Sequence, residues 1–491
     1  MLAVCAGLGM FLAALDIAVN VGLPTMTKGL NTDFQTIQWV IVAFVAARAG
    51  LVMGAGSFAD RFGLRRVYLF GVVTYLVAMV AISLSPTLAL VVGFRVLQAV
   101  GTGCLFAVSP ALASQVFPAN RQGLAMGFAT ASQALGMLTG TLGAGVLVAI
   151  FGWQAVFFPR IPFLIVALVL AFKFLPGAGL RGESSTEKSG AQKPPFDAAG
   201  AFTLFGAFIC LVIGLRMGRS EGWTSPIVLT LLSLAPLFLA GFWRAERRAR
   251  WPVLPGDLIK VRGFAVAYSS MFLTHFGVFV IWFIFPFYIA DGLGRGPGTL
   301  GAMLAAMALM NSGFAALGGW LCDRLGISTV GLVGLMFLAF GLMSMSYLGT
   351  GSGLPQIVLR MGMVGAGLGL FQSSVFALML SSAPRERLST ASAALSLAQS
   401  SGTVMSVAVV GGIFALSQDY HLTGLLSTPV IPLPSGPVLI EIERLAFMLA
   451  FKDVFRLGAV VVLAGSVVFL LGNKWRPSVA ESGETLPAPP D

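Results

Sequence analysis

Apolar residues occur in long runs along the whole chain, and short segments rich in glycine, proline and charged residues separate the runs. A helix needs about 20 apolar residues to cross a bilayer. Most of the runs reach that length, and the run at 200–216 is shorter. The pattern predicts an all-α polytopic membrane protein with fourteen spanning helices, at 3–24, 36–59, 66–85, 88–114, 122–150, 155–175, 200–216, 226–243, 263–290, 298–322, 327–349, 355–382, 388–416 and 452–472.

The composition supports this class of protein. Hydrophobic residues make up 57% of the 491 residues and charged residues 10%, with a mean hydropathy of +0.92, whereas a water-soluble protein carries about 25% charged residues. The net charge of +11 does not indicate nucleic-acid binding, because the basic residues lie mostly in short loops between the runs. All four cysteines lie inside apolar runs, so we expect no disulfide framework.

Lysine and arginine are divided unevenly between the two sets of loops. The loops that follow even-numbered runs carry most of them, and the loops that follow odd-numbered runs carry few. Because basic loops stay in the cytoplasm, both termini are predicted to be cytoplasmic. We therefore expect a multi-pass protein of the bacterial inner (plasma) membrane.

An internal repeat divides the chain. Asp60-Arg61-Phe-Gly63 recurs as Asp323-Arg324-Leu-Gly326, and Arg95 recurs as Arg360, at offsets of 263 and 265 residues. Further polar and glycine matches follow at an offset of 266, which indicates a duplicated six-helix unit. The runs at 200–216 and 226–243 have no counterpart, so the predicted arrangement is 6 + 2 + 6. The predicted parts are an N-terminal bundle (1–175), a cytoplasmic linker (176–199), two extra helices (200–243), a basic cytoplasmic loop (244–262), a C-terminal bundle (263–472, with a long external loop at 417–450) and a cytoplasmic tail (473–491).

The segment Gly56-Ser-Phe-Ala-Asp60-Arg61-Phe-Gly63-Leu-Arg65-Arg66 joins the second and third runs. Its glycines permit a tight turn. An aspartate at a helix C-terminus is unfavourable unless arginines or another helix compensate it. One interpretation is a gating loop formed by Gly56, Asp60, Arg61, Gly63, Arg65 and Arg66. The other is an ordinary basic turn that only fixes the topology.

Four motifs resemble those of the fourteen-helix drug:proton antiporter branch of the major facilitator superfamily. Leu15-Asp16-Ile-Ala-Val-Asn20-Val-Gly-Leu-Pro24 is similar to the first-helix motif of that branch, and the segment 56–66 is similar to the superfamily's gating loop. Arg95-Val-Leu-Gln98-Ala-Val-Gly101-Thr-Gly103 resembles the motif whose arginine is associated with proton coupling. Gly136-Met-Leu-Thr-Gly140-Thr-Leu-Gly143-Ala-Gly145 resembles the antiporter motif, with Gly136, Gly140, Gly143 and Gly145 as its glycines.

The resemblance covers nearly the whole chain. It implies two six-helix halves in the same membrane orientation, alternating access through a cavity between them, and a loop that locks the cytoplasmic side while the outside is open. Three features depart from the pattern: Thr141 stands where the antiporter motif has proline, Gly143-Ala-Gly145 stands where it has a glycine pair, and Arg160 stands where the family has asparagine. These departures keep a facilitator without antiport as an alternative.

Ionisable residues inside spanning helices are costly and are functional candidates by default. They are Asp16, Arg48, Arg95, Arg160, His275 and Arg360. Counted from the outer helix ends at 1.5 Å per residue, Asp16 and Arg95 both lie roughly 11–12 Å deep, so we expect them to pair. Burial raises the pKa of a carboxyl group and a nearby cation lowers it. We predict that Asp16 carries the proton and Arg95 tunes it; the alternative is a permanent ion pair that only fixes packing.

Four embedded arginines against one embedded carboxylate favour a substrate with an anionic or zwitterionic group. Alternatively, Arg48 caps backbone carbonyls or pairs with Asp16. His275 is either a second proton site or a hydrogen-bonding partner of a neighbouring helix. The predicted residues of the substrate cavity are Asn20, Arg48, Arg160, His275, Asn311, Arg360 and Gln372.

The sequence thus predicts a proton-coupled exporter of amphipathic small molecules. Its expected partners are the substrate, protons and the lipid bilayer, with no nucleic acid, and it is expected to be a monomer. The alternatives are a facilitator or lipid or organic-anion transporter without proton antiport, and a membrane-embedded enzyme. The enzyme is disfavoured because no Ser-His-Asp set, metal-ligand cluster or phosphate-binding loop is recognised. No cofactor and no metal are predicted.

Overall fold

The computed structural model describes residues 1–116, 122–175, 198–220, 222, 224–248, 256–382, 388–427 and 436–472, some of them by their backbone alone. The segments 176–197, 249–255 and 473–491, which hold most of the predicted linker, part of the basic loop and the predicted tail, lie outside the described residues. The longer helices are α1 (Leu2–Gly29), α2 (Trp39–Phe62), α3 (Leu64–Ser83), α4 (Leu88–Val116), α5 (Gln122–Phe151), α6 (Arg160–Phe174), α7 (Ala198–Ser220), α8 (Pro226–Arg248), α9 (Arg262–Phe287), α10 (Pro297–Leu325), α11 (Ile327–Met345), α12 (Leu354–Ser381), α13 (Leu388–Leu426) and α14 (Gly436–Gly472).

Twelve helices in the described part of the chain are long and apolar enough to cross a membrane. The apolar stretches of α2 and α7 are shorter, Trp39–Leu51 and Phe202–Leu211. The structure therefore has an all-helical membrane architecture with twelve candidate spans, and the count of fourteen remains a prediction. Large apolar side chains such as Phe70, Val169 and Phe340 are exposed on the outer faces of the helices, as a bilayer environment requires.

The prediction of a loop across 417–450 was wrong about secondary structure. Helix α13 continues to Leu426 and α14 begins at Gly436. Residues 417–426 and 436–450 of the predicted loop are therefore helical. The prolines lie only between 429 and 437, and a proline in the first turn of a helix leaves its hydrogen bonds intact. Nothing in the sequences on either side of this proline cluster breaks a helix.

The duplicated halves share their backbone turns. Gly63, after α2, has φ +90° and ψ 142°, and Gly326, after α10, has φ +86° and ψ 146°. Positive φ is strained for residues with a Cβ atom, so glycine is needed at both turns.

The halves also share their helix contacts. A Cβ on Gly101 of α4 would lie 2.7 Å from the carbonyl oxygen of Gly71 in α3, and a Cβ on Gly367 of α12 would lie at the same distance from that of Gly334 in α11. Because these contacts are equivalent, each residue of α4 corresponds to the residue of α12 whose number is higher by 266. For α3 and α11 the difference is 263.

A second pair of contacts fixes the register of the first helix of each half. A Cβ on Gly136 of α5 would clash with the carbonyl oxygen of Phe11 in α1, and a Cβ on Gly402 of α13 would clash with that of Phe272 in α9. The offset between α1 and α9 is therefore 261 residues.

The two halves meet at the end of the bundle opposite to the Gly63 and Gly326 turns. Helix α5 packs on α10, where a Cβ on Gly301 would lie 2.6 Å from the carbonyl oxygen of Thr141. Helix α2 packs on α13, with Gln38 close to Gly411. Small residues at these crossings allow the backbones to approach closely.

The pair α7 and α8 contacts both halves. Helix α7 packs against α2 and α13 as well as α8. A Cβ on Gly50 of α2 would lie 2.7 Å from Phe205 of α7, and Leu204 of α7 forms an apolar cluster with Phe242 and Leu397. The extra pair thus lies beside the junction between the halves.

Candidate functional site

The candidate site is built around a break in α1. The α-helical hydrogen bonding is interrupted by a 3-10 turn at Leu15–Ala18, and Asp16 lies in this turn. A Cβ on Gly140 of α5 would lie 3.2 Å from the carbonyl oxygen of Leu15, so α5 approaches the break closely. A short 3-10 stretch within a longer helix often marks a functional hinge.

Asp16 and Arg95 form a buried salt bridge, as their predicted common depth led us to expect. Arg95 Nη1 lies 2.6 Å from Asp16 Oδ1, and Arg95 Nη2 donates to Oδ2 at 3.3 Å. Gln98, one helical turn beyond Arg95, completes the arrangement: its Nε2 donates to Asp16 Oδ1 at 2.7 Å, and its Oε1 accepts from Arg95 Nη1 at 2.7 Å. Gln98 was quoted within the helix-4 motif but was not predicted as a site residue.

Arg95 is held from all sides. Its Nε donates to the carbonyl oxygen of Val40 at 3.0 Å, and its guanidinium carbon lies 4.0 Å from the centre of the Phe44 ring. The residue is 1% exposed. A buried arginine with a carboxylate, an amide, a carbonyl and a ring as partners is fully compensated.

Arg160 joins the same carboxylate from α6. Its Nη1 lies 3.3 Å from Asp16 Oδ1 and 3.4 Å from the Tyr75 hydroxyl oxygen, and that hydroxyl donates to the carbonyl oxygen of Leu12. Arg160 Nη2 is buried without a hydrogen-bond partner in the described part of the chain. The residue that departs from the family's asparagine therefore contributes directly to the charge cluster.

Arg48 lies near this cluster without bonding to it. Its guanidinium carbon is 5.1 Å from the centre of the Phe44 ring and 6.0 Å from that of the Phe106 ring. Among the residues that the structure describes, Arg48 forms neither an ion pair nor a hydrogen bond, although it interacts electrostatically with Asp16. The alternative of a direct Arg48–Asp16 pair or carbonyl cap is therefore wrong, and three arginines surround one carboxylate in the described cluster.

Asn20 lies one turn beyond Asp16 on α1. Its Nδ2 donates to the carbonyl oxygen of Ile17 at 3.1 Å, and its Oδ1 is buried without a partner among the described residues. Five of the predicted site residues belong to the N-terminal half: Asp16, Asn20, Arg48, Arg95 and Arg160.

The predicted residues of the C-terminal half do not join the cluster. His275 is buried, and its Nδ1 lies 3.2 Å from the carbonyl oxygen of Met271 in its own helix. Among the described residues it forms no hydrogen bond to a neighbouring helix, which was one of the two predicted roles. Asn311 and Gln372 are half-buried. Arg360 has a buried Nη1 with no partner among the described residues.

The assumed correspondence of Arg95 with Arg360 is wrong by one residue. The glycine contacts between neighbouring helices give an offset of 266 for α4 and α12, which places Met361 at the position of Arg95. One residue corresponds to about 100° around a helix. Arg360 therefore occupies a different face of its helix from Arg95.

The antiporter motif divides into two contact regions. Gly136 and Gly140 pack on α1 at the level of Phe11 and Leu15, and Gly145 packs on Gly301 of α10. A Cβ on Gly143 would meet no atom within 4 Å. One end of the motif therefore packs on α1, the helix that carries Asp16. The other end packs at the junction between the two halves.

The predicted gating loop is only partly described. Arg65 Nη2 donates to the carbonyl oxygen of Phe172 at 3.2 Å, which ties the loop to the end of α6, and Arg66 is exposed. Gly56 lies within α2. The side chains of Asp60 and Arg61 lie outside the described part.

One constellation was missed in the sequence. Ser417 Oγ and His421 Nε2 both contact Asp453 Oδ2, at 2.6 and 2.8 Å. Ser417 and His421 lie where α13 extends past its predicted span, and Asp453 lies at the start of the last predicted span. Both groups bind the same carboxylate oxygen, so the arrangement cross-links two helices and does not align the serine with the imidazole as nucleophilic catalysis requires. No group of three or more potential metal ligands occurs among the described residues.

Comparison with known proteins places this chain in a family. The chain is 31% identical over 408 residues to the uncharacterized transporter YebQ of Escherichia coli, covering 81% of this chain and 86% of that protein. It is 28% identical to the multidrug resistance protein Stp of Mycobacterium tuberculosis (87% and 79% covered), and 29% identical to the tetracenomycin C resistance and export protein of Streptomyces glaucescens (83% and 74% covered).

The fold matches that of a solved transporter. A bacterial homologue of the human lysosomal transporter Spinster, in an inward-facing and unoccupied conformation, superposes with a TM-score of 0.64 at 15% identity, covering 97% of this chain and 98% of that one. The sequence profile of the Major Facilitator Superfamily matches residues 5–407. The match confirms the resemblance drawn from the four motifs: this chain is a multi-pass membrane transporter and belongs to the Major Facilitator Superfamily.

Proposed function

We propose that the protein exports amphipathic small molecules in exchange for protons, by alternating access between its two halves. The observation that carries the proposal is the carboxylate of Asp16, whose side chain is only 11% exposed and which ties the break in α1 to α4 and α6. A buried carboxylate whose ion pairs join separate helices is suited to converting a proton into helix movement.

Protonation of Asp16 would weaken the two ion pairs unequally. Arg95 would keep its bonds to Val40 and Gln98, whereas Arg160 Nη1 would keep only the long contact with the Tyr75 hydroxyl. The connection from α1 to α6 would therefore loosen before the connection to α4. The 3-10 turn at Leu15–Ala18 supplies a point at which α1 can bend.

The excess of positive charge favours substrates that carry an acidic group. Arg48, Arg95 and Arg160 face one carboxylate in the described cluster, and uncompensated charge in a membrane interior is stabilised by an anion. The names of two relatives, a multidrug resistance protein and an antibiotic resistance and export protein, support export of amphipathic compounds.

The remaining parts of the proposal concern the membrane. We propose that α2 and α7 also span it, which gives fourteen spans in a 6 + 2 + 6 arrangement, with both termini in the cytoplasm of a bacterial cell and a monomer as the working unit. The lengths of α2 and α7, 24 and 23 residues, support this count.

The test is proton movement in proteoliposomes that carry a pH indicator inside. A panel of amphipathic cations, zwitterions and organic anions is added to the wild type and to the Asp16→Asn variant, which keeps the shape of the side chain but cannot ionise. We expect the wild type to release or take up protons with at least one substrate, and the variant to lose at least 90% of this flux.

Asp291→Asn is the matched control, because Asp291 is an exposed carboxylate in the turn that follows α9. It should keep the wild-type flux. Coupled flux that survives in Asp16→Asn would refute the assignment of the proton carrier. Substrate movement without proton flux in any variant would identify a facilitator, the alternative that Thr141 in place of the motif's proline keeps open.

A further inference from the structure

Two arginines beside Asp16 have hydrogen-bonding capacity that the protein leaves unused. Arg160 Nη2 is buried and unpartnered among the described residues. The guanidinium of Arg48 is half-buried, lies over the faces of Phe44 and Phe106, and forms no hydrogen bond or ion pair with a described residue. A buried donor without a partner is costly, and the donors of Arg48 are unused, so both groups are suited to binding an acceptor that enters the site.

The charges of the cluster define the acceptor. Three guanidinium groups against the carboxylate of Asp16 leave an excess of two positive charges in the described cluster. Arginine binds carboxylate and phosphate groups through paired N–H donors. An oxyanion on a ligand would accept hydrogen bonds from Arg48 and Arg160.

The two carboxylate oxygens of Asp16 accept different numbers of hydrogen bonds. Oδ1 accepts from Arg95 at 2.6 Å, from Gln98 at 2.7 Å and from Arg160 at 3.3 Å. Among the described residues, Oδ2 accepts only one long hydrogen bond, from Arg95 Nη2 at 3.3 Å. Oδ2 is therefore the oxygen that retains the capacity to accept from a proton or from a positively charged group of a ligand.

We infer that the transported substrates are zwitterionic amphiphiles, with the oxyanion bound by Arg48 and Arg160 and the cationic group bound at Asp16 Oδ2. The inference rests on the proton exchange proposed above, because exchange requires that substrate and proton exclude each other. A cationic group at Oδ2 competes with the proton directly. An anion alone would bind more strongly when Asp16 is protonated and would therefore travel with the proton.

The experiment uses a rhodamine with a free carboxylate and its methyl ester. At neutral pH the free acid is a zwitterion and the ester is a cation, so the pair differs only in the group assigned to the arginines. Binding to the purified full-length protein in neutral detergent is measured by fluorescence anisotropy. We expect the wild type to bind the acid about tenfold more tightly than the ester, since a charge-assisted hydrogen bond contributes about that much.

Arg48→Gln is the main variant, because Arg48 forms no hydrogen bond or ion pair with any described residue and its replacement breaks no network. Its preference for the acid over the ester should fall from about tenfold towards one, because one of the two arginines assigned to the oxyanion is lost. Arg160→Gln should act in the same direction. Arg295→Gln, which changes an exposed arginine, should keep the tenfold preference.

Proton competition is the second readout. Both dyes should bind the wild type more weakly once the pH is low enough to protonate Asp16, and this dependence should vanish in Asp16→Asn. Equal affinity for acid and ester in the wild type, no binding of either dye, or a preference that survives in both arginine variants would overturn the inference. Acid binding that strengthens at lower pH would also overturn it, since it would identify an anion bound together with the proton.

The outcome is separable from that of the proposed function. An Arg48-dependent preference for the acid without any substrate-driven proton flux would leave the oxyanion site standing and remove the exchange. Proton exchange with an unchanged dye preference in Arg48→Gln would do the opposite.

Discussion

At the helix crossing where the N-terminal half has Asp16, the C-terminal half has Gly277, and a Cβ there would lie 2.6 Å from the carbonyl oxygen of Gly458. The backbone of α14 therefore occupies the space that a side chain would need. Three other positions of the network are also apolar in the second half. In register, Arg95 corresponds to Met361, Gln98 to Val364, and Tyr75 to Leu338.

The packing contacts, by contrast, are the same in both halves. Gly101 on Gly71 corresponds to Gly367 on Gly334, with the same spacing to the carbonyl oxygen. The comparison teaches that helix crossings and polar chemistry are separable in this fold. Small residues fix the crossings, and a buried charge network is compatible with those crossings in one half and dispensable in the other.

The largest effect is expected when the network loses its only described carboxylate. Asp16→Ala leaves Arg95 and Arg160 buried without a counter-charge, so the free energy of unfolding should fall by about 3–5 kcal/mol. The measurement is a denaturation curve by SDS titration in detergent micelles. Adding Arg95→Met, the residue of the second half, should recover part of this loss; a double variant as unstable as the sum of the two single variants would contradict the argument.

A smaller effect is expected at the shared crossings. A Cβ on Gly136 meets the carbonyl oxygen of Phe11, and a Cβ on Gly402 meets that of Phe272. Gly136→Ala and Gly402→Ala should each lower the free energy of unfolding by about 1–3 kcal/mol, because the helices must separate. Gly143→Ala is the control, since no atom lies within 4 Å of the added methyl group. A cost confined to one half would show that the crossings are not equivalent.

The smallest effect is expected from Gln98→Val, which places the residue of the second half in the first. Asp16 and Arg95 keep their direct bond, so only the bridging hydrogen bonds are lost, with a cost of about 1 kcal/mol. The same unfolding measurement applies, together with the pH dependence of proton flux. We expect that dependence to shift, because Gln98 donates to the ionised form of Asp16. A loss of unfolding free energy equal to that of Asp16→Ala would contradict this prediction, because it would show that the network depends on Gln98 as much as on Asp16.

Much of the fold could be predicted from the sequence. The runs of apolar residues identified the helices, because the bilayer forces each span to satisfy its own backbone and to expose apolar side chains. The repeated Asp-Arg-x-Gly turn identified the duplication, because positive φ at Gly63 and Gly326 requires glycine in both copies. Counting residues along the helices placed Asp16 and Arg95 at one depth, and the salt bridge between them follows from that depth.

The sequence by itself thus determined the membrane class, the repeat and the central pair, since each depends on spacing along one helix or on the solvent around it. The tertiary structure decided which face of each helix meets its neighbour. It brought Arg160 and Gln98 to Asp16, left Arg48 against Phe44 and Phe106, and aligned Met361 rather than Arg360 with Arg95. The offset between the copies changes from helix to helix, and a one-residue change turns a side chain by about 100°, so only the packing of the glycines against the neighbouring backbones could set these faces.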